Sequence, residues 1–235
     1  MHGNLQLWLA GPEAAQHFDP AQLTNDEPGR YARLRRPQRR QEFEVSRALR
    51  AHVRREAPQP ASESLSHSGG YAALARAHPN LRVGVDLEVH QARDVLATAR
   101  NAFSESEAQA LAAVPSRELA RLFYAMWTVK EALAKALQLP LLEALRSCVL
   151  IVDGPQWQVR APAPAAGCVA VYQPRVELTL AVVCIGETLP IESWSWPPQQ
   201  PAAWPLIAAI ALAAADAHAA ADPGSADAAR AAAPA

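Results

Sequence analysis

The chain has 235 residues, of which 50% are hydrophobic and 19% are charged, and its formal net charge is −1. These values are typical of a soluble globular chain that is long enough for one domain of two lobes or for two small domains. The N-terminal residues lack the basic and apolar regions of a secretory signal, and the apolar run 204–215 is too short to span a bilayer. We therefore predict a cytoplasmic protein with no membrane partner.

The three cysteines lie in apolar, β-branched segments of the second half, at Cys148, Cys168 and Cys184. Because three cysteines cannot all pair with one another, buried free thiols in a reducing compartment are the favoured interpretation. This interpretation agrees with a cytoplasmic location.

In the first 90 residues, the pattern of apolar and polar residues predicts one helix and three strands. The helix is expected at about 40–56, where Pro58 and Pro60 end it. The polar segment 62–70 is predicted to form a turn. The strands are expected at 6–10, 71–77 and 82–88, and the last two should form a hairpin around residues 78–80.

The second half is predicted to contain two helices followed by strands. Ser104 and Glu107 have the spacing of a capping box, so one helix should begin there, and another should run from Ser116 until Pro140 ends it. Four strands are expected at 148–152, 157–160, 168–172 and 178–185. The segment from Pro197 onward is rich in alanine and proline, so part of it is expected to be helical and the part after Asp222 disordered.

This order of elements predicts an α+β protein with two lobes in succession. We place the N-terminal lobe at residues 1–90 and the C-terminal lobe at 91–196. Residues 197–235 are predicted to be an Ala/Pro-rich, partly disordered tail with no assigned function.

Two carboxylates lie two residues apart at the end of an apolar strand, at Asp86 and Glu88. Side chains at i and i+2 leave the same face of a strand, so these carboxylates repel each other unless a cation lies between them. A hard divalent cation, above all Mg²⁺, suits such a pair together with phosphate oxygens. The alternative interpretation is a solvent-exposed strand end.

Only two of the 22 basic residues are lysines, Lys130 and Lys135, and both belong to the helix that carries Glu131. Glu131 and Lys135 lie one turn apart on one face, which is also the spacing of an ordinary surface ion pair. In a chain that otherwise uses arginine, however, a compact and rotatable lysine charge favours close phosphate chemistry.

The segment 29–55 carries ten arginines against two glutamates. This asymmetry predicts an anionic partner or a solvated basic face. A nucleic acid is not the expected partner, because the segment lacks interleaved aromatic residues and a recognisable reader motif.

Four motifs in order resemble the signatures of one known family. The motifs are SLSHSGG (64–70), VGVDLE (83–88), FSESE (103–107) and WTVKEALAK (127–135). They are similar to the S-H-S, G-[IV]-D-[IL]-E, F-S-x-x-E and W-x-x-K-E-x-x-x-K motifs of the 4'-phosphopantetheinyl transferases of the surfactin-synthetase-activating type. The resemblance covers roughly residues 30 to 185.

The resemblance implies a pseudo-dimer of two similar α+β lobes with the active site between them. It implies an Mg²⁺-dependent enzyme that moves 4'-phosphopantetheine from coenzyme A to a serine of an acyl or peptidyl carrier protein and releases adenosine 3',5'-bisphosphate. Such carriers serve fatty acid, polyketide or nonribosomal peptide synthesis. The pseudo-dimeric architecture makes a monomer the expected state.

The resemblance also implies roles at the reacting phosphates. Asp86, Glu88 and Glu131 would bind Mg²⁺ together with the coenzyme A pyrophosphate, and Glu131 would deprotonate the carrier serine, directly or through water. Lys135 would neutralise charge on the pyrophosphate as the bond to the leaving bisphosphate breaks, and Lys130 would hold another phosphate oxygen.

Five further residues are implied to contact coenzyme A. Ser66 and His67 would contact its nucleotide side, with His67 at the 3'-phosphate. Arg30, Arg33 and Arg47 fall where the family carries basic residues, although a solvated basic face stays open for the arginines and a surface position for His67. Glu107 is interpreted as a capping partner of Ser104 and not as a metal ligand.

Two alternative functions stay open from the sequence. One is a degenerate family member that binds coenzyme A or a carrier protein without turnover, and the other is a different metal-dependent phosphoryl transferase or hydrolase. The chain lacks the Gly-rich phosphate loop and the metal-binding His cluster of the second alternative. It also departs from the family after Lys135, where ALQLPL replaces the usual glycines beside the expected carrier-docking surface.

Overall fold

The structure is a computed structural model that describes residues 3–153, 156–161 and 166–212, without the side chain of residue 153. It is an α+β protein, as the sequence predicts. The helices are α1 (Glu27–Arg33), α2 (Pro37–Glu56), α3 (Val95–Ala102), α4 (Glu105–Ala112), α5 (Ser116–Leu137) and α6 (Leu141–Ser147). The strands are β1 (Leu5–Ala10), β2 (Ser62–Ser68), β3 (Tyr71–Ala77), β4 (Arg82–Val89), β5 (Val149–Asp153), β6 (Gln156–Arg160), β7 (Gly167–Arg175), β8 (Leu178–Ile185), β9 (Ile191–Trp196), β10 (Gln200–Pro201) and β11 (Leu206–Leu212).

The strands form two larger sheets and one hairpin. The first sheet has the order β10-β9-β1-β3-β2, the second has the order β11-β7-β8-β4, and β5 pairs with β6. All of these pairings are antiparallel except the parallel pairing of β1 with β9.

The two sheets pack face to face between two long helices. Alternate residues of β1 and β8, such as Leu7 and Val182, point into an apolar core between the sheets. On the outer faces, Leu49 of α2 packs against the first sheet, and Leu133 of α5 packs against the second. Strand β8 is buried on both faces, which explains its unbroken apolar sequence.

Two expectations for the first half are wrong. The segment 62–68 is a strand and not a turn. Its serines have low strand propensity, which explains the wrong prediction, but pairing with β3 along the whole length of β2 makes the segment a strand. Strands β3 and β4 do not form a hairpin. The partners β1 and β2 occupy both edges of β3, so β4 crosses to the second sheet and pairs with β8 from Arg82 to Val89.

The predicted helix at 40–56 is confirmed but begins earlier, at Pro37, since the fixed φ of proline suits the first turn of a helix. The capping box is also confirmed: Ser104 accepts from the Glu107 backbone, and the Glu107 side chain accepts from the Ser104 backbone. Cys148 and Cys184 are buried, Cys168 is partly buried, and all three are free thiols, as predicted.

The segment 206–212 forms strand β11 on β7, where a partly helical tail was expected. Its burial alternates, with Ala208 and Ile210 buried and Ala209 and Ala211 exposed, so strand pairing overrides the helix propensity of alanine.

The disorder predicted after Asp222 lies outside the described residues. The division at residues 90 and 196 and the pseudo-dimeric relation of the lobes stay predictions. Among the described residues, no helix has the length and hydrophobicity to cross a membrane.

Helix α5 lies directly on β4 at Gly84. A Cβ atom at this position would lie 1.9 Å from the carbonyl oxygen of Ala132 and 2.8 Å from the backbone nitrogen of Ala136. Only glycine allows this approach, which brings the helix face carrying Glu131 and Lys135 against the strand carrying Asp86.

Gly84→Ala is expected to lower the free energy of unfolding by about 1–3 kcal/mol or more, because the added methyl group forces α5 away from β4. Urea denaturation measures this change. The control is Gly3→Ala, since a Cβ at Gly3 meets no atom within 4 Å. Equal stability of the two variants would contradict the proposed close contact.

Candidate active site

Three carboxylates meet where β4 faces α5. Asp86 and Glu88 lie two residues apart on β4, and Glu131 reaches them from α5. One oxygen of each carboxylate lies within 4.8 Å of the others. The structure therefore brings together the three residues that the sequence analysis combined.

Asp86 is the most enclosed member of this acidic cluster (Asp86, Glu88 and Glu131), with 2% of its surface exposed. Its Oδ1 accepts hydrogen bonds from Ser66 Oγ at 2.8 Å and from Lys135 Nζ at 2.9 Å. Its Oδ2 is buried and has no hydrogen-bond partner among the described residues. A buried carboxylate oxygen without a partner is costly, so this atom can accept a hydrogen bond or bind a cation.

The acidic cluster disfavours its own ionisation. Burial raises the pKa of Asp86, against the lowering effect of Lys135. Burial and then the charge of Asp86 raise the pKa of Glu88. Burial and then Asp86 raise the pKa of Glu131 to about 7. The single positive charge of Lys135 therefore does not offset the burial and repulsion of the three carboxylates.

The cluster fits a hard divalent cation. Its donors are all carboxylate oxygens, which Mg²⁺ prefers, and the unpartnered Asp86 Oδ2 is one of them. A bound cation would also reverse the raised pKa values, because it favours the ionised carboxylates.

Lys135 lies at the cluster with part of its side chain still accessible. Its Nζ donates to the Val85 carbonyl at 2.8 Å as well as to Asp86, and 33% of its side chain is exposed. Glu131 and Lys135 line a cleft of about 400 Å³ that continues to Gln138, Leu139 and Leu141. The lysine can therefore meet a ligand that enters this cleft.

Lys130 lies elsewhere, which corrects the phosphate contact expected for it. Its ammonium is completely buried and lies 2.9 Å from Glu107 Oε1, and it donates to the carbonyl oxygens of Leu145 and Cys148. Burial lowers its pKa, and Glu107 opposes this effect. Lys130 has no access to the cleft, so we assign it a structural role in joining α5 to α4 and α6.

Ser66 and His67 point to opposite sides of β2, as neighbours on a strand do. Ser66 is buried against Asp86, whereas the side chain of His67 is 36% exposed and its Nδ1 lies 3.9 Å from Glu42 Oε2. Burial lowers the pKa of His67, and the positive charges of Arg47 and Lys135 act in the same direction.

The predicted arginines divide into two groups. Arg47 is largely buried and donates to Glu27 Oε1 at 2.7 Å. Burial alone would raise the pKa of Glu27, but hydrogen bonds from Arg50 and Thr24 and the nearby arginine charges lower it to about 2. Arg30 and Arg33 are exposed on α1. Arg47 therefore shares the carboxylate of Glu27 with Arg50.

Sequence reasoning missed one side chain of the site. Ser68 Oγ donates to Glu88 Oε2 at 2.9 Å and accepts from the Val89 N–H at 3.2 Å. The signal was present in the sequence, because Ser66 and Ser68 have the same i, i+2 spacing as Asp86 and Glu88. It was hidden because residues 62–70 were predicted to form a turn.

The geometry agrees with the comparison of the chain with known families. Residues 82–170 match the model of the 4'-phosphopantetheinyl transferase superfamily, and this segment contains the acidic cluster and both lysines. This part of the chain is therefore similar to that superfamily, in agreement with the resemblance seen in the sequence. The surfactin-synthetase-activating subtype stays a prediction.

One similar protein comes from Synechocystis sp. (strain ATCC 27184 / PCC 6803 / Kazusa). Its name gives it a provisional assignment as a 4'-phosphopantetheinyl transferase, and it is 30% identical over an alignment of 141 residues. The alignment covers 49% of this chain and 57% of the relative. The chain thus spans little more than half the length of the curated relative that it matches.

In the metal-free protein, Glu131→Gln is expected to raise the free energy of unfolding at pH 8 and to change it little at pH 5. The folded-state pKa of about 7 lies above the ordinary value of 4.5, so the wild type loses stability as the pH rises through this interval. Glutamine removes that loss, with a gain on the order of 1–2 kcal/mol after allowance for solvent screening.

Urea denaturation in the presence of a chelator at the two pH values tests this prediction. The matched control is Glu118→Gln on the same helix, where the glutamate pairs with exposed Arg117. The same stability change at pH 5 and pH 8 for Glu131→Gln would contradict a raised pKa.

Proposed function

We propose that this protein transfers 4'-phosphopantetheine from coenzyme A to a serine of an acyl or peptidyl carrier protein and releases adenosine 3',5'-bisphosphate. The single observation that carries the proposal is the meeting of three carboxylates with Lys135, at a place where Glu131 and Lys135 line a cleft. These four groups lie within the segment that matches the superfamily model. Both substrates are assigned here by resemblance to that superfamily.

The acidic cluster is proposed to hold Mg²⁺ through Asp86, Glu88 and Glu131. When bound, Mg²⁺ would supply positive charge to the pyrophosphate of coenzyme A. The fit is supported by the all-oxygen donor set and by the unpartnered Oδ2 of Asp86.

Glu131 is proposed to accept the proton of the carrier serine. Its side chain lines the cleft beside Lys135, and a cation at the acidic cluster would keep the carboxylate ionised and able to accept a proton. The serine oxygen forms a bond to the phosphorus beside pantetheine, and the bond from that phosphorus to the adenosine bisphosphate oxygen breaks. The serine proton passes to Glu131, and the electron pair of the broken bond stays on the leaving bisphosphate.

Lys135 is proposed to stabilise the negative charge that develops on the pyrophosphate. Its ammonium is held at the acidic cluster by Val85 and Asp86, and its exposed part faces the cleft. A preorganised cation in a partly buried site stabilises developing charge without reorganising water. This role suits a flexible lysine better than a planar arginine.

The nucleotide end of coenzyme A is proposed to lie near His67, on the side of β2 opposite Ser66. Arg47, which affects the charge state of His67, and the exposed Arg30 and Arg33 would provide positive charge for the 3'-phosphate. The monomeric state, the cytoplasmic location and the lack of a nucleic-acid partner stay predictions.

Incubation with an apo-carrier protein, coenzyme A and Mg²⁺ is expected to add one phosphopantetheinyl group to the carrier, as measured by mass spectrometry. Glu131→Gln and Lys135→Ala should each reduce the rate by about 100-fold or more, because each removes a group acting at the reacting phosphate. Glu118→Gln on the same helix serves as the control and should keep the wild-type rate.

Two outcomes would contradict this proposal. Wild-type protein that binds coenzyme A and yet modifies none of several carriers would indicate a binding protein without turnover. Full activity of Glu131→Gln or Lys135→Ala would remove the proposed roles of these residues.

The carrier is expected to cover the leucines beside the cleft. Leu141 lines the same cleft as Glu131 and Lys135, and the adjacent Leu142 is 73% exposed. Leu142→Glu should raise the KM for the carrier by about 10-fold while leaving the KM for coenzyme A unchanged, because it places a charge in an apolar contact.

Steady-state kinetics with each substrate varied in turn will measure this separation. The matched control is Leu206→Glu, which makes the same change at an exposed leucine on β11, the strand at the far edge of the second sheet from β4. An unchanged carrier KM in Leu142→Glu would place carrier docking elsewhere.

A further inference from the structure

We infer that Ser66 and Ser68 are positioning residues for the metal-binding carboxylates. Each hydroxyl donates a hydrogen bond to one oxygen of a carboxylate and so fixes the orientation of that group. The inference rests on the proposed function, because it concerns the same cation site, and it gives these serines a role toward the metal ligands instead of the coenzyme A contact expected for Ser66.

The two hydrogen bonds form a matched pair. Ser66 Oγ donates to Asp86 Oδ1 at 2.8 Å, and Ser68 Oγ donates to Glu88 Oε2 at 2.9 Å. Both serines and both carboxylates are two residues apart on their strands, so side chains of the same face meet one to one. The contact joins β2, at the edge of the first sheet, to β4, at the edge of the second.

The bonding at Asp86 leaves one of its oxygens for the cation. Ser66 and Lys135 both donate to Oδ1, whereas Oδ2 is buried without a hydrogen-bond partner among the described residues. Loss of the Ser66 hydroxyl would let the carboxylate turn toward Lys135 and away from this arrangement. Metal ligands depend on such supporting hydrogen bonds for their orientation.

The serine hydroxyls are themselves held in place. Strand β2 pairs with β3 from Ser62 to Ser68, so a hydrogen-bonded strand and not a loop carries both serines. The Val89 N–H donates to Ser68 Oγ, which directs the hydroxyl proton toward Glu88. Ser66 is 8% exposed, so its hydroxyl is largely inaccessible to a ligand in solution.

Ser64 supplies a control on the same strand and the same face. Its Oγ accepts from the Val85 N–H at 3.0 Å, so it also bridges the two sheets. Its one hydrogen bond among the described residues is to this backbone group and not to a carboxylate. Removal of the Ser64 hydroxyl thus disturbs the contact between the two sheets but removes no hydrogen bond to a proposed metal ligand.

The experiment measures Mg²⁺ binding to the full chain by isothermal titration calorimetry in the absence of coenzyme A and carrier. Ser66→Ala and Ser68→Ala are each expected to weaken Mg²⁺ binding by about 10-fold or more. Ser64→Ala should bind Mg²⁺ within about twofold of the wild type. Ser68→Thr, which keeps a hydroxyl at the more open position, should restore most of the affinity.

A second titration, with coenzyme A in the presence of a chelator, separates the two roles. Unchanged coenzyme A affinity in Ser66→Ala and Ser68→Ala supports a positioning role toward the metal ligands. Lower coenzyme A affinity with unchanged Mg²⁺ affinity would overturn the inference. Circular dichroism of each variant checks the fold, and Ser68→Ala provides an independent test if Ser66→Ala is unfolded.

The proposed function fails in a different way. Wild-type protein that binds no Mg²⁺ would overturn the cation site and this inference together. If Ser66→Ala and Ser68→Ala both bind Mg²⁺ as tightly as the wild type, the inference is overturned and the proposed transfer reaction is unaffected.

Discussion

The close contact between helix α5 and strand β4 is the constraint on which the site depends. The helix backbone lies so near Gly84 that a Cβ atom would overlap the Ala132 carbonyl. This short distance brings Glu131 within reach of Asp86 and Glu88, and it lets Lys135 bind Asp86. A larger residue at position 84 would separate the two halves of the candidate site, so this glycine shapes the site although it has no functional group.

The site concentrates negative charge in a place where burial opposes it. Burial raises the pKa of each carboxylate, and the negative charge of Asp86 adds to this effect at Glu88 and Glu131. Such an arrangement lowers stability in the metal-free protein, and a bound cation would convert it into a favourable interaction. The hydrogen bonds from Ser66 and Ser68 add a second constraint, because they orient carboxylates that would otherwise turn away from one another.

The two lysines show how far the sequence could predict the site. Both stood out in an arginine-rich chain, and the periodicity of the helix correctly placed Glu131 and Lys135 on one face. A separation of five residues puts Lys130 on a different side of α5, where Glu107 and two carbonyl oxygens enclose its ammonium. Whether Lys130 contacts a phosphate or supports the fold therefore depends on α4 and α6, which pack against that side of α5. The spacing of the motif does not decide it.

The sequence by itself determined the α+β class, the capping box at Ser104, the shared strand face of Asp86 and Glu88, and the family resemblance, because all of these depend on local periodicity or short motifs. Tertiary structure alone decided that residues 62–68 form a strand, that β4 leaves β3 for β8, and that Ser66 and Ser68 face the carboxylates. These features depend on which distant strands become neighbours. Serine-rich and alanine-rich segments carry little local preference for a strand, so pairing with β3 and β7 fixes their conformation.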